Sequence, residues 1–296
     1  MATTSSTISD LYADIIADLV PFYEDAVLLP NQEIIKNSLI VSGSAGGTVR
    51  FPLLDQSTSG ATVTEGASIQ SAADYSMTPT NASITFSKRG VASDVTEESL
   101  EDGGFELVRG AVLSQLSQGI ATATDVAGLG VAKAAYTNDD GAGSSANTHN
   151  CNFVISPEAL GYAAKREPVV KVWYNPDRDR HEFRATVRNG FVSLRSNFGR
   201  RITCNATIGS GDANVEALAK SVANLRSANA PVGLNGTYVG LIDPSFEFAI
   251  NEQIAGVGGT TVGSLSDIGN NALRDASIAL VAGCTLYRSN NLPDAT

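Results

Sequence analysis

The feature that most constrains the fold is one long amphipathic stretch between Phe105 and Tyr136. Its apolar residues recur at spacings of three and four and form one stripe: Val108, Val112, Leu116, Ile120, Ala123 and Ala127. This periodicity predicts a helix of roughly 25–30 residues, which at about 1.5 Å per residue is about 40 Å long. Few compact domains contain a helix of that length. We therefore expect it to be a spine on which the other elements are arranged.

Shorter elements are predicted on both sides of this spine. Alternation of apolar and polar residues indicates antiparallel strands over 169–174, 182–187, 191–194 and 202–206. Helices are predicted after Ser9, after Thr96, over 214–228 and, preceded by a strand, after Asp243-Pro244. "FVISPEALGYAAKREP", 153–168, is interpreted as a strand and a short helix. Together these elements indicate an α+β protein.

A Ser/Thr-rich stretch at 51–87 precedes the spine. Its β-forming pieces, 62–64 and 82–86, have too few large apolar side chains to build a core. A two-stranded excursion is favoured, and because isolated ribbons are marginal in water, we expect a partner surface to support it. The stretch has no Lys or Arg, and its acidic residues are Asp55, Glu65 and Asp74. The preceding residues, 1–50, have little to pack against by themselves and are interpreted as an arm.

Composition argues against several classes of protein. The 296 residues are 43% hydrophobic and 17% charged, which is typical of a folded chain with a sizeable core. The net charge of −11 argues against a dedicated nucleic-acid binder. No apolar stretch is long enough to predict a membrane span. Cys151, Cys204 and Cys284 lack CxxC spacing and are interpreted as buried thiols, neither zinc ligands nor disulfides.

The motifs predict no catalytic residue, no cofactor and no metal. His149, beside Cys151 in a polar joint, is interpreted as a solvated loop residue, and His181 as a turn residue. The loop beside His181 contains three carboxylates: Asp177, Asp179 and Glu182. Arginines alternate with them, and the loop lacks the glycine and spacing of a calcium loop. Solvated salt links are therefore favoured there.

Half of the basic residues are concentrated in one stretch. Ten of the 20 lie between positions 165 and 201: Lys165, Arg166, Lys171, Arg178, Arg180, Arg184, Arg188, Arg195, Arg200 and Arg201. Two interpretations stay open: an ordinary charged sheet face, or a basic surface that docks acidic segments such as residues 51–87 of a neighbouring copy. In the second, the predicted inter-subunit contacts are Arg178, Arg180, Arg184 and Arg188 on one side, and Asp55, Glu65 and Asp74 on the other.

Several passages, in this order, resemble the major capsid proteins of tailed phages, whose fold is of the Hong Kong 97 type. They are the excursion, "TPTNASITFSKRGVASDVTEESLED" at 78–102 and "FELVRGAVLSQLSQGIATATDVAGL" at 105–129. The resemblance implies these parts: an N-terminal arm, 1–50; an E-loop β-hairpin, 51–90; a peripheral (P) domain with the spine helix, 91–136; a linker, 137–150; a P-domain β-sheet segment, 151–208; and an axial (A) domain, 209–296.

After the spine, the same resemblance implies a rearranged segment order. The family's closing P-domain piece, similar to "NFVISPEALGYAAKREP", comes here before the pieces similar to "VEALAKSVANLRSANAP", "GTYVGLIDPSFEFAI" and "YRSNNLP". The joints at 137–150 and 209–213 have the Gly/Ser/Asn composition that rewired loops tolerate. We expect Thr296 to lie near the 147–151 joint, and Ile208 to lie where a family C-terminus would.

The function that the resemblance implies is structural and not enzymatic. Subunits would form pentamers and hexamers and assemble, in the host bacterial cytoplasm, into the icosahedral head of a virion. That head would enclose double-stranded DNA without sequence-specific binding, with cement, scaffolding and portal proteins as further partners and no membrane. An E-loop without lysine would lack the Lys–Asn cross-link of some relatives. An encapsulin-like bacterial nanocompartment shell and a β-rich adhesive or carbohydrate-binding protein stay open as alternatives.

Overall fold

The computed structural model contains two β-sheets, a two-stranded ribbon and the helices that connect them. The residues it describes are 15, 18–24, 26–30, 33–41, 48–53, 65, 80–103, 105–140, 151–203, 214–233, 235–255 and 280–293. The mixture of helices and antiparallel strands confirms the predicted α+β class. Each of the described helices is too short or too polar to cross a lipid bilayer.

The long helix predicted from the apolar stripe is confirmed. Two helices follow one another here: α1 (Glu97–Gly103) and α2 (Phe105–Ala135). With 31 residues, α2 is about 46 Å long at about 1.5 Å per residue. The Thr96 hydroxyl accepts a hydrogen bond from the Ser99 amide (3.3 Å) and so begins α1 as predicted. Val112, Leu116 and Ile120 of the stripe are buried.

One face of α2 packs against a four-stranded sheet. Its strands, in spatial order, are β1 (Asn37–Ile40), β6 (Leu160–Asn175), β7 (Arg180–Ser193) and β4 (Ser87–Thr96). The last three are antiparallel neighbours, and β1 pairs with β6 in parallel. Alternate residues of β7, Phe183, Ala185 and Val187, join Leu116 of α2 in one buried cluster.

The second sheet draws its strands from both sides of the predicted 209–213 joint. In spatial order they are β10 (Leu280–Val281), β11 (Cys284–Arg288), β9 (Tyr238–Ile242), β5 (Cys151–Ile155) and β8 (Gly199–Thr203). Two predicted helices, α3 (Asn214–Ser227) and α4 (Pro244–Ala255), are confirmed. Leu218 of α3 and Ile250 of α4 share one core with Phe153 and Leu241 of the sheet.

The predicted excursion begins as a regular antiparallel ribbon. Its strands are β2 (Thr48–Leu53) and β3 (Thr80–Thr85), paired from Thr48↔Thr85 to Leu53↔Thr80. Ile84 and Phe86 pack with Ala163 of β6 in a small cluster of their own. A Cβ at Gly190 of β7 would lie 2.5 Å from a methyl carbon of Ile84. Glycine at this position therefore lets the ribbon lie against the sheet.

Two strand predictions were wrong in detail. The strand predicted at the start of 153–168 is confirmed as the end of β5. The short helix predicted after it is instead a turn at 156–159 and the start of β6, because pairing with β7 outweighs local helix propensity. The separate strands predicted at 182–187 and 191–194 are one strand, β7. The Asn-Gly pair between them has the composition of a turn, but here it lies within a continuous ladder.

The N-terminal region was wrongly expected to have little to pack against. Leu29, Ile34 and Ile35 are fully buried in the larger core cluster, and Ile15 is fully buried beneath the four-stranded sheet. The amides of Leu28 and Leu29 also donate to the Asp125 carboxylate of α2 at 2.9–3.3 Å. The described residues before β1 are therefore part of the folded body.

Strand β5 begins beside the last described residues of the chain. The Cys151 amide donates to the Pro293 carbonyl (2.9 Å), next to the pairing of β5 with β9. The Ser289 amide donates to the Ile242 carbonyl (3.0 Å). The expected positions of Thr296 and Ile208 fall outside the described residues.

Candidate inter-subunit surface

Most of the predicted basic contacts lie on the sheet face opposite α2, which we call the outer face. It consists of alternate residues on three strands: 88–96 of β4, 180–188 of β7, and 166, 169, 171, 173 and 175 of β6. One end of this face lies at the β6–β7 turn and is called the turn end. The other lies beside the β2–β3 ribbon and is called the ribbon end.

At the turn end, one arginine bridges two carboxylates on neighbouring strands. Asp94 of β4 lies directly opposite Glu182 of β7. Arg180 binds both, with Nη1 at 2.6 Å from Asp94 Oδ2 and Nη2 at 3.0 Å from Glu182 Oε1. Like charges opposite one another destabilise a sheet, so the arginine removes a repulsion that the fold would otherwise retain.

Glu182 is the centre of this charge network. The Asn175 amide donates to Oε1 at 3.0 Å, and Arg184 Nη2 lies 3.2 Å from Oε2. The Asn175 hydrogen bond, followed by the Arg180 contact, holds the pKa of Glu182 below its ordinary value. The Arg184 guanidinium also lies 4.3 Å from the centre of the Trp173 ring. The prediction of solvated salt links was wrong for Glu182, which is only 5% exposed.

The turn itself contains Arg178 and precedes His181. Arg178 is exposed, and its amide donates to the Asn175 carbonyl (3.3 Å). The Tyr174 hydroxyl donates to Asp179 (2.5 Å), a hydrogen bond that raises the pKa of Tyr174 to about 12. His181 was wrongly predicted in the turn: it is the second residue of β7, buried, with Nε2 3.7 Å from Glu97 Oε1.

At the ribbon end, three cations occupy one row across three strands. Arg188 of β7 lies directly opposite Lys88 of β4 on one side and opposite Arg166 of β6 on the other. Register shifts on either side of Arg166 mark a β-bulge, and with it Lys165 lines the same cleft as its neighbour Arg166. Within the described part of the chain, Lys88, Arg166 and Arg188 form no ion pair with a carboxylate.

These side chains line a cleft with a volume of about 410 Å³. Its described lining is Phe86, Lys88, Lys165, Arg166 and Arg188, so its charged lining residues are all basic. Lys165 Nζ lies 5.8 Å from the centre of the Phe86 ring, and an Arg166 guanidinium nitrogen donates to the Thr186 hydroxyl (2.9 Å). The cleft can therefore accept an anionic group between an aromatic ring and several cations.

Two further titratable groups have raised pKa values because they are buried. Burial raises the pKa of Asp125 to about 6, although amide hydrogen bonds oppose the shift. Cys151 and Cys284 are buried, as predicted, and burial raises the pKa of Cys284 to about 12. Across the described ranges, His, Cys, Asp and Glu side chains form no group of three that could hold a metal ion. His149 lies outside the described residues.

Comparison with solved structures identifies the fold. The bacteriophage JBD30 capsid structure matches 99% of this chain and 100% of its own with a TM-score of 0.58 and 13% identity. The JBD30 procapsid matches 98% of this chain and 100% of its own, with a TM-score of 0.56 and 12% identity. This chain has the fold of a bacteriophage capsid protein. The predicted resemblance is thereby confirmed at the level of the fold.

A third structure extends this comparison. The JBD30 capsid decorated with minor capsid protein trimers matches 90% of this chain and 92% of its own, with a TM-score of 0.56 and 12% identity. No protein-family model matches the sequence. No curated protein matches it either.

The structure divides the predicted basic contacts between the two ends of the outer face. Arg178 and Arg180 lie at the turn end and Arg184 lies midway along the face, whereas Arg188 lies eight residues beyond Arg180 on β7, about 27 Å away at about 3.4 Å per residue. Of the acidic side, Glu65 is an exposed turn residue, and Asp55 and Asp74 lie outside the described residues. Lys88 was not predicted as a contact residue, although it lies in the "KRGV" passage that follows the ribbon.

Proposed function

We propose that this chain is the major capsid protein of a tailed double-stranded DNA phage. The match of its fold to a phage capsid subunit over 99% of its length carries the proposal. Copies would form pentamers and hexamers and assemble, in the host bacterial cytoplasm, into the icosahedral head of the virion. The role is structural, and the many weak contacts of a shell would add up to its stability.

The ribbon supports this role because it has so little core of its own. Among the described residues, the buried cluster at its base consists of Ile84, Phe86 and Ala163, with Val49, Phe51 and Val192 packed against it and partly buried. A two-stranded ribbon needs further support to be stable in water, and a neighbouring subunit can supply it. In this proposal residues 51–90 are the E-loop, which reaches over an adjacent copy.

The other parts follow the same proposal. Residues 1–50 are the N-terminal arm, whose described part packs into the folded body of the subunit. Residues 91–136 and 151–208 belong to the P domain, 137–150 are a linker, and 209–296 form the A domain. The second sheet refines this division, because β5 and β8 of segment 151–208 pair with β9 of segment 209–296 or with each other. Only β6 and β7 of that segment pair with the sheet on the spine.

We also propose that segments 151–208 and 214–293 have exchanged their order relative to the familiar arrangement. The hydrogen bond between the Cys151 amide and the Pro293 carbonyl supports this, because it places the end of one segment beside the start of the other. A short connection could join those two points without moving any strand. We therefore expect the same two sheets in a rearranged chain, in which segment 214–293 comes first and a short connection joins Pro293 to Asn152. Circular dichroism and thermal unfolding measure whether this chain folds.

The partners are other copies of this chain and, in addition, scaffolding, portal and cement proteins. One solved neighbour is a capsid decorated with minor capsid protein trimers, and a cement protein of that kind is the partner we propose here. The net charge of −11 favours enclosing DNA without gripping it. No sequence-specific contact with DNA is part of the proposal.

Assembly of the purified chain tests the proposed function. The full chain is expressed alone and with a candidate scaffolding protein, fractionated by size and viewed by negative-stain electron microscopy. Icosahedral shells, or rings of five and six subunits, are the expected result. A protein that stays monomeric at high concentration and across low and moderate salt, with and without that scaffolding protein, would contradict the proposal.

A further inference from the structure

The cation row at the ribbon end is the feature of the outer face that the fold itself does not explain. Three cations stand directly opposite one another on β4, β7 and β6: Lys88, Arg188 and Arg166. Like charges in such positions destabilise a sheet. At the turn end a similar conflict between Asp94 and Glu182 is removed by Arg180. Among the described residues, no carboxylate does the same for the cation row.

The chain itself contains a segment with the complementary charge. Residues 51–87 have no Lys or Arg, and their charged side chains are Asp55, Glu65 and Asp74. Within its own subunit, the part between Leu53 and Thr80 leaves from the end of the ribbon farthest from the cleft. The paired part of β3 spans about 17 Å at about 3.4 Å per residue. Asp55 follows Leu53 by two residues and cannot return that distance within its own subunit, whereas a second copy can bring all three carboxylates to the cleft.

We propose that the cleft formed by Lys88, Lys165, Arg166 and Arg188 binds the carboxylates of residues 54–79 of a neighbouring copy. This inference rests on the proposed shell and names the surface through which two copies join. It replaces Arg178, Arg180 and Arg184 as the main basic contacts, because Arg180 and Arg184 already bind Asp94 and Glu182. Phe86 forms one side of the cleft, so the incoming carboxylates are partly shielded from water.

Charge reversal with rescue tests this contact. In the full chain, Lys88→Glu with Arg188→Glu should reduce the yield of shells at least tenfold while circular dichroism still shows a folded subunit. Adding Asp55→Lys, Glu65→Lys and Asp74→Lys to the same chain removes the carboxylates that would face the two introduced glutamates and gives the segment cations that those glutamates can bind. We expect that five-fold variant to recover shells, and Arg178→Glu, a matched reversal in the exposed turn, to assemble normally.

The outcomes separate this inference from the proposed function. Normal shells from the Lys88→Glu/Arg188→Glu variant would refute the cleft contact and leave the capsid role intact. Lost shells without rescue by the three lysines would also refute it, because the occupant would then not be the acidic segment. Failure of the unmodified chain to assemble under all conditions would refute both proposals together.

Discussion

The two ends of the outer face solve the same electrostatic problem in different ways. At the turn end, Asp94 and Glu182 stand opposite each other and share Arg180, and Glu182 also binds Arg184, so the two negative charges are balanced within one subunit. At the ribbon end, Lys88 and Arg188 stand opposite each other, and the described residues offer them no carboxylate. The first arrangement stabilises the subunit, whereas the second leaves a repulsion that only a binding partner can remove.

This difference shows why counting charges along a chain does not locate a contact surface. Arg180 and Arg188 belong to the same basic stretch and to the same strand, yet only one of them is neutralised within the subunit. The distinction depends on their neighbours on β4: Arg180 binds Asp94, 86 positions away in sequence, whereas Arg188 lies opposite Lys88, 100 positions away. Strand register therefore decides between the two interpretations that the sequence left open, and it assigns one to each end.

Deleting residues 56–78 should have the largest effect on assembly. The deletion removes Glu65 and Asp74 and most of the segment that binds the ribbon end of a neighbouring copy. We therefore expect no shells, while both sheets and their cores stay folded. Electron microscopy and circular dichroism measure the two effects. Neutralising the acidic residues instead (Asp55→Asn, Glu65→Gln and Asp74→Asn) keeps the length of the segment and should weaken assembly less. Normal shells from the deletion would contradict the role of the E-loop.

Removing the carboxylate at the turn end should destabilise the isolated subunit. In Glu182→Gln, Arg184 loses the anion it binds and Arg180 keeps only Asp94, so we expect a clearly lower melting temperature. Glu158→Gln is the matched control, because Glu158 forms an exposed pair with Lys36. Equal melting temperatures for the two variants would show that the network at the turn end does not stabilise the fold.

Asp125 differs from the carboxylates at the turn end, because it is buried, accepts hydrogen bonds from backbone amides and pairs with no described cation. Its pKa is raised from 3.8 to about 6, chiefly by burial, so the folded state holds the proton more tightly than the unfolded state. The contribution of protonated Asp125 to the free energy of unfolding is therefore present at low pH and is lost as pH rises through about 4 to 6. At about 1.4 kcal/mol per unit, the loss is about 3 kcal/mol.

Chemical denaturation between pH 4 and 7.5 measures this effect. Asp125→Asn should be less dependent on pH over that range than the unmodified chain, since the titrating group is gone. Glu182 predicts the opposite sign, because its lowered pKa means that its stabilisation is lost as pH falls through that pKa. An unchanged pH dependence in Asp125→Asn would contradict the assignment of the pH 4–6 slope to this carboxylate.

Gly190→Ala tests how firmly the ribbon is fixed to the sheet. An added Cβ would lie 2.5 Å from an Ile84 methyl carbon and 2.6 Å from the Thr85 carbonyl oxygen, so the base of the ribbon must shift. We expect a loss of about 1–3 kcal/mol in the free energy of unfolding. Gly110→Ala in α2 meets nothing within 4 Å and should instead gain up to about 1 kcal/mol. Denaturant unfolding of both variants separates the two cases.

Much of the fold was predictable, but the site was predictable only in part. The apolar stripe identifies α2 because its pattern is local, and the same holds for α3 and α4. A break in β7 was wrongly predicted at the Asn-Gly pair, because glycine at position 190 makes room for Ile84 and does not form a turn. The cation row depends on a β-bulge and on pairing between distant strands, neither of which leaves a local pattern in the sequence.

Neutralising Arg188 at the ribbon end should have the smallest effect on the stability of the subunit, and the direction of that effect is informative. Arg188→Gln removes the central cation of the row, so the repulsions with Lys88 and Arg166 both disappear. Relief of each cross-strand pair is worth about 0.2–1 kcal/mol, and the subunit should become slightly more stable, most clearly at low salt. The same variant should assemble less well, because the acidic segment loses a partner. Reduced stability together with unchanged assembly would show that Arg188 serves the fold and not the contact between copies.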